Sequence, residues 1–538
     1  MINLIIKKAI IQKIHYARLI VIFCMSVFCL ACSDSGELSS LTKKSLIYCS
    51  EASPESFNPQ ITINKVTLDA TSNQLYDRLV TIDPVTNELT PSLAKSWHVT
   101  RDGKMVTFYL RKNIAFHATD YFYPTRALNA DDVMFSFQRI LNKDHEYHNV
   151  SSGRYPYFEQ IKFNNLVASI EKINNLTIRF NLHAPDASFL SHLSTQYAVI
   201  LSAEYAHLLA SKKTKRYIDT QPIGTGPFKL QEYRAGSMIR FYKHLEYWRQ
   251  NVNFDQLVYD ITTSNTGRLT KLMTGECDII SDPIGHNKIT ERKDLTLQSV
   301  TSLDVAYLAL NTLKPPFNNP LVRQAINQSI NKDAIIKAVY LGHGIEANTL
   351  LPPSSWAINK ADNPHVYNVE NAKALLAESG YKNGFEMDLW APTEPVTYNP
   401  NTLAMAIMIK DDLEKIGIQV NIINQSPPVI VGIAEVATYD STLSGWSVDH
   451  PDPDNFLTPL LSCAASEIGT NVAFWCNQAF DSLLANGLQT DKVEQRKFYY
   501  QKALNILAQQ APIIPIAHSK MYKAKNNKIE GDFFTSFG

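Results

Sequence analysis

The stretch TLAMAIMIKDDLEKIGIQVNI, residues 402–422, constrains the fold more than any other. Met405, Ile409, Leu413 and Ile416 recur at helical spacing, so 402–416 is expected to form a helix buried along one face. Gly417 follows directly, where a residue without Cβ can turn left-handed and end the helix. Ile418, Val420 and Ile422 then alternate with polar residues, which is the period of a strand. Helix, glycine and strand in immediate succession are the wiring of an α/β fold, in which helices cover a largely parallel sheet.

The same alternation runs along the chain. Residues 46–49 read as a short strand, and 105–110 (MVTFYL) as a β-rich one after the turn Arg101-Asp102-Gly103-Lys104. Asn129 is placed to cap a helix over 130–141, whose Val133, Phe137, Ile140 and Leu141 share a face. Residues 176–182 alternate as a strand, and 222–233 read as a Gly/Pro turn leading into another. Pro320 opens a helix to 330, and a second is expected over 332–340. A chain of 538 residues can bury several cores. Lys+Arg and Asp+Glu both number 51, so no broad field favours nucleic acid or anionic lipid.

The N-terminus differs from the rest. Residues 1–18 carry Lys7, Lys8, Lys13 and Arg18 and no acid, and 19–31 (LIVIFCMSVFCLA) are apolar. That run is too short for an ordinary membrane span and suits an export signal over 1–31. It ends Cys29-Leu30-Ala31-Cys32-Ser33, similar to a bacterial lipobox with Cys29 where leucine is usual. Lipidation of Cys32 is the favoured reading; ordinary signal cleavage is the competitor. Beyond Cys32 lie Cys49, Cys277, Cys463 and Cys476. In an exported chain they read as two disulfides, and of the three pairings Cys463–Cys476 with Cys49–Cys277 is preferred, because Cys463 and Cys476 are close in sequence. No Cys/His metal spacing occurs, and neither metal nor cofactor is expected.

No catalytic signature is present: no His-Glu-x-x-His, Gly-x-Ser-x-Gly, Walker loop or dinucleotide fingerprint. Gly224-Thr225-Gly226 precedes Pro227 and a strand, which fits a structural turn rather than a phosphate loop. His117 is expected to cap or pack. The chain is read as a binder, not an enzyme. Gly445–Phe456 (GWSVDHPDPDNF) holds three acids. A calcium loop from Asp449 would need Gly and Glu where Asp454 and Leu460 stand. Asp452 and Asp454 are expected to accept backbone N–H groups and cap 456–462. Asp449, beside Trp446, is left as a receptor for an ammonium group.

Three stretches carry a resemblance to a known family: Leu93-Ala94-Lys95-Ser96-Trp97 through Phe108-Tyr109-Leu110-Arg111 to Asn129-Ala130-Asp131-Asp132-Val133; Gly224-Thr225-Gly226-Pro227-Phe228 to Tyr247-Trp248; and Leu308-Ala309-Leu310-Asn311 to Val322-Arg323-Gln324-Ala325. They resemble the family 5 extracytoplasmic solute-binding proteins, the peptide-binding components of ABC importers. The resemblance implies an α/β, two-lobed periplasmic binding protein with an additional domain on the first lobe. Domain I would combine 44–76, 226–304 and 520–538, domain II would span 77–225, and domain III 305–519. It implies a monomer that takes peptides, antimicrobial peptides included, in an interlobe cleft and delivers them to an inner-membrane permease and its ATPase. Haem, polyamines and simple sequestration are the alternatives. The family's anchor for the peptide ammonium falls on Asp449. Independently of the resemblance, Trp446, Trp390 and Tyr398 are expected to line pockets beside it, with core packing the competing role for the last two. Dipeptide-binding members have disulfides at positions matching the preferred pairings. Two departures stand out. Their arginine for the ligand carboxylate aligns with Val396, and the chain ends at Gly538, where members add a strand.

Overall fold

The computed structural model describes residues 45–83, 86–249, 252–358, 366–426, 437–467 and 469–531. The readings of the export signal, Cys32 and the final residues fall outside them. Three larger sheets and a two-stranded one, Val80–Ile82 with Leu89–Pro91, organise the described chain. A seven-stranded sheet runs in the order Leu295–Thr301, Lys520–Asn526, Ile279–Ser281, Ser45–Ser50, Gln256–Ile261, Met238–Lys243, Phe228–Arg234. A four-stranded antiparallel sheet is built from Ala94–Val99, Met105–Leu110, Thr177–Leu182 and Val167–Asn174. A six-stranded sheet runs Ile345–Glu346, Ile513–His518, Asp304–Leu310, Ser441–Ser447, Glu386–Pro392, Gln419–Gln425.

The helix expected after residue 402 spans Thr402–Glu414 and buries Met405, Ile409 and Leu413 completely. Gly417 takes φ of 90°, and Gln419–Gln425 then pairs in parallel with Glu386–Pro392. Asn129 forms a capping box with Asp132 at the head of the helix Ala130–Leu141. The Gly224–Gly226 turn is structural. Buried His117 accepts from Gly224 N–H on Nδ1 at 3.3 Å, which leaves Nε2–H to donate to the Gly226 carbonyl at 3.0 Å. Thr225 is tied to Asp77 at 2.9 Å.

Core packing divides the molecule into two bodies. One continuous core joins the seven- and four-stranded sheets, from Leu46 through Phe108 and Phe180 to Phe241 and Tyr259. The six-stranded sheet carries a separate core on each face, one around Leu308, Leu389 and Ile409, the other around Tyr307, Phe456 and Tyr500. Two strand-to-strand passages link the bodies. Ser302 and Leu303 separate Leu295–Thr301 from Asp304–Leu310, and Ser519 separates Ile513–His518 from Lys520–Asn526. Ser302 N–H donates to Ser519 O at 3.0 Å, Ser519 N–H donates to Asp304 Oδ1 at 2.8 Å, and the Ser519 hydroxyl donates to Asp304 Oδ2. The disulfides pair as preferred, Cys49 with Cys277 and Cys463 with Cys476.

Candidate ligand-binding site

Asp449 stands two residues past the end of the strand Ser441–Ser447, beside the passage between the bodies: the N–H of its neighbour Val448 bonds to Leu303 O at 2.9 Å. The carboxylate is partly open, yet enough protein surrounds it for desolvation to push its pKa up to about 6. Its hydrogen bond comes from the other body, where Tyr197 Oη donates to Oδ1 at 2.9 Å. Tyr197 stacks on Tyr157, with ring centroids 4.3 Å apart and planes 14° from parallel. Among the described residues no lysine or arginine forms an ion pair with Asp449.

The residues that follow Asp449 are anchored in the same way. Asp452 N–H donates to His450 Nδ1 at 3.4 Å, so the His450 Nε2–H donates to His192 Nδ1 at 3.1 Å across the bodies. Tyr157 Oη lies 3.0 Å from that same His192 nitrogen. Burial, and then the neighbouring imidazole, pushes His450 down to about 3, so the pair is uncharged at neutral pH. Nearby, Ala187 N–H donates to Leu488 O at 2.9 Å, again between the bodies.

The expected roles of Asp452 and Asp454 need correction. Asp452 does accept Asp454 N–H at 3.1 Å, but both its oxygens are held by Arg496 at 2.7 and 2.8 Å in a buried ion pair. Burial raises the Asp452 pKa and Arg496 more than offsets it. Asp454 accepts the Thr458 hydroxyl rather than a backbone N–H, and burial pushes its carboxyl up to about 7. The helix they were expected to cap begins earlier, spanning Asp454–Leu461.

The pocket aromatics do not converge as one group. Trp446 is half-buried, packs toward the core around Tyr307 and Phe456, and donates its indole N–H to Asn455 O at 2.9 Å. Tyr398 lies on the opposite face of the sheet, against the core around Leu389. Its ring covers Gly445 so closely that a Cβ there would sit 2.2 Å from Tyr398 Cδ2. Trp390 is half-buried opposite Thr442, on the face that Trp446 shares. Val396 exchanges two backbone hydrogen bonds with Asn399, at 3.0 and 2.9 Å, and so stands in a tight turn. Sequence reasoning missed Tyr197, Tyr157 and His192, which carry no local signature. His450 was within reach, because it adjoins Asp449. A further apolar concavity, lined by Leu350, Leu461, Leu504 and Pro515, lies in the second body. It holds no titratable side chain and does not include Asp449.

This arrangement of a partly open acid at the junction of two α/β bodies can be set beside known proteins. The model of the bacterial extracellular solute-binding proteins, family 5 middle region, matches residues 88–467. The chain belongs to that family. Its members are binding proteins of two-lobed architecture, and the two bodies correspond to the lobes. The peptide transport periplasmic protein SapA of Salmonella typhimurium is 41% identical, the match covering 91% of this chain and 90% of SapA. Heme-binding protein A of Haemophilus influenzae is 40% identical, with 93% and 92% covered. The crystal structure of a dipeptide-binding protein from Pseudoalteromonas sp. SM9913 in complex with Met-Leu superposes with TM-score 0.74 at 43% identity. That match covers 92% of this chain and 98% of the other. No helix among the described residues of this family member is long and apolar enough to cross a membrane.

Proposed function

We propose that this protein is the extracytoplasmic binding component of an ABC importer, and that it holds peptides by their ammonium end between the two lobes. The observation that carries the reading is Asp449: a carboxylate at the interlobe junction, desolvated enough to hold its pKa near 6, with a neutral phenol as partner. An ammonium there would restore full ionisation and gain a charge-assisted hydrogen bond in a poorly solvated site. Trp446, Trp390 and Tyr398 would line side-chain pockets, and backbone groups would take the ligand's amides. We divide the chain as domain I (44–76, 226–304, 520–538), domain II (77–225) and domain III (305–519). Domains I and II form the lobe that shares one core.

Val396 in place of an arginine leaves a ligand carboxylate without a charged partner, and burying a carboxylate unpaired is costly. Peptides longer than dipeptides, antimicrobial peptides among them, therefore suit the site better than free dipeptides, as do amines lacking a carboxylate, such as polyamines. Cys32 would carry the lipid that tethers a periplasmic monomer near its permease and ATPase. Native mass spectrometry of the protein purified from its own bacterium tests the reading. A ladder of short peptides supports it; a single bound small amine, or haem with its Soret band, replaces the peptide reading. Protection from antimicrobial peptides that persists without the permease would point to sequestration instead of import.

A further inference from the structure

Asp449 is already taken, and from the opposite lobe. Tyr197 and Tyr157 are 5% and 1% exposed and stacked on each other, so the Tyr197 hydroxyl cannot easily swing away. The adjacent contact, His450 to His192, joins the same two segments. The hydrogen-bonded groups of this network are uncharged or already paired: Tyr197, Tyr157, the neutral His192–His450 pair and the Asp452–Arg496 ion pair.

A phenol is a neutral donor. It satisfies one lone pair of a carboxylate but leaves the charge uncompensated, whereas an ammonium does both. We propose that Tyr197 is a specificity-determining residue of the amine site: its hydroxyl holds the place of the ligand's ammonium in the ligand-free protein and gives up or shares Asp449 only for a cation. This inference rests on the reading of Asp449 as the amine anchor. It makes the site tolerant as well as selective. A ligand with a blocked amine leaves the Tyr197–Asp449 bond standing and meets no naked carboxylate. A ligand with a free amine gains the charge interaction on top.

Tyr197→Phe separates this role from packing, because phenylalanine keeps the ring stack and removes only the hydroxyl. Without the hydroxyl, a blocked ligand buries Asp449 with no donor and is rejected, and the carboxyl holds its proton to higher pH. The probe is a tryptic peptide digest in which half the material has been acetylated on its amines, offered in competition from pH 5 to 8 and read by native mass spectrometry. At pH 7 the captured ratio of free to acetylated peptides should rise about tenfold or more from wild type to Tyr197→Phe, the worth of one hydrogen bond to a charged group. The pH at which free peptides begin to bind should also move upward. If ratio and onset are both unchanged, Tyr197 only packs and the inference falls. Asp449→Asn, run alongside, should bring the ratio close to one. If Asp449→Asn keeps the wild-type ratio, the anchor itself is misassigned, and if the wild type captures neither class, the peptide reading fails with it.

Discussion

Asp449 shows how function and stability oppose each other at one side chain. Its carboxyl titrates near 6 in the folded chain, against about 3.9 for an unperturbed aspartate. Between those values the folded state holds the extra proton, so stability falls as pH rises from about 4 to about 6 and stays lower above that window. Asp449→Asn should therefore stabilise the ligand-free protein at pH 7, on the order of 2 kcal/mol, and thermal denaturation at pH 7 and pH 4 should show that gain shrinking toward zero in acid. The same substitution should weaken binding of a free-amine peptide by about 2 kcal/mol or more, measured by calorimetry. Wild-type affinity for such a peptide should fall about tenfold per pH unit as pH drops below 6, because the ammonium needs the ionised carboxylate. Gly445 is a second residue with one specific job. Gly445→Ala would drive a methyl into the Tyr398 ring at 2.2 Å, so the ring must move off the strand. Peptide selectivity should change more than overall stability, and comparing the bound-peptide profiles of the two proteins checks it.

At the scale of elements, the loop after Ser441–Ser447 is held in place by the ion pair between Asp452 and Arg496, which lies on the helix Val493–Gln510. The two side chains are 4% and 7% exposed, and Arg496 also bonds to Tyr500 and the Gly487 carbonyl. Removing one partner of such a pair strands a charge in the interior. Arg496→Met should cost about 3–5 kcal/mol in urea denaturation, and Asp452→Asn combined with it should recover part of that loss. The helix Asp454–Leu461 shows why the capping expectation missed. Sequence spacing put both acids near a helix start, but the arginine that claims Asp452 is 44 residues away. Element identity was legible at Met105–Leu110, Ala130–Leu141 and Thr402–Glu414, because each carries its own period and the two helices carry their own caps.

Across the whole molecule, two lobes meet through Ser302-Leu303 and Ser519, and buried Asp304 ties the passages together. On the proposed function, closure over a ligand would be a population shift, driven by contacts made only when both lobes touch it. The disulfides act on a different term, the freedom of the unfolded chain. Cys49–Cys277 closes 228 residues within the first lobe and Cys463–Cys476 closes 13 within the second. By loop-closure entropy, losing the first should cost about 5 kcal/mol and losing the second about 3. Thermal denaturation of Cys277→Ser and Cys476→Ser, each with its partner also replaced, should rank them in that order. Equal losses would mean that local packing, not chain entropy, sets their worth.

What the sequence determined by itself is what short-range physics encodes: the α/β alternation, the Asn129 cap and the Gly417 helix stop, the Gly/Pro turn at residues 222–227, and the family recognised in its motifs. It also brought Asp449 forward, because calcium ligation could be excluded there and a tryptophan stands three residues before it. What only the tertiary structure decided is which groups face that carboxylate. Tyr197 lies 252 residues from Asp449 and His192 lies 258 from His450. Trp446 and Tyr398, grouped in the sequence reading, are set on opposite faces of one sheet. Hydrogen bonds and desolvation act over a few ångströms in space, while sequence periodicity reports only on neighbours along the chain. The partners of a site between two lobes therefore appear only once both lobes have folded and met.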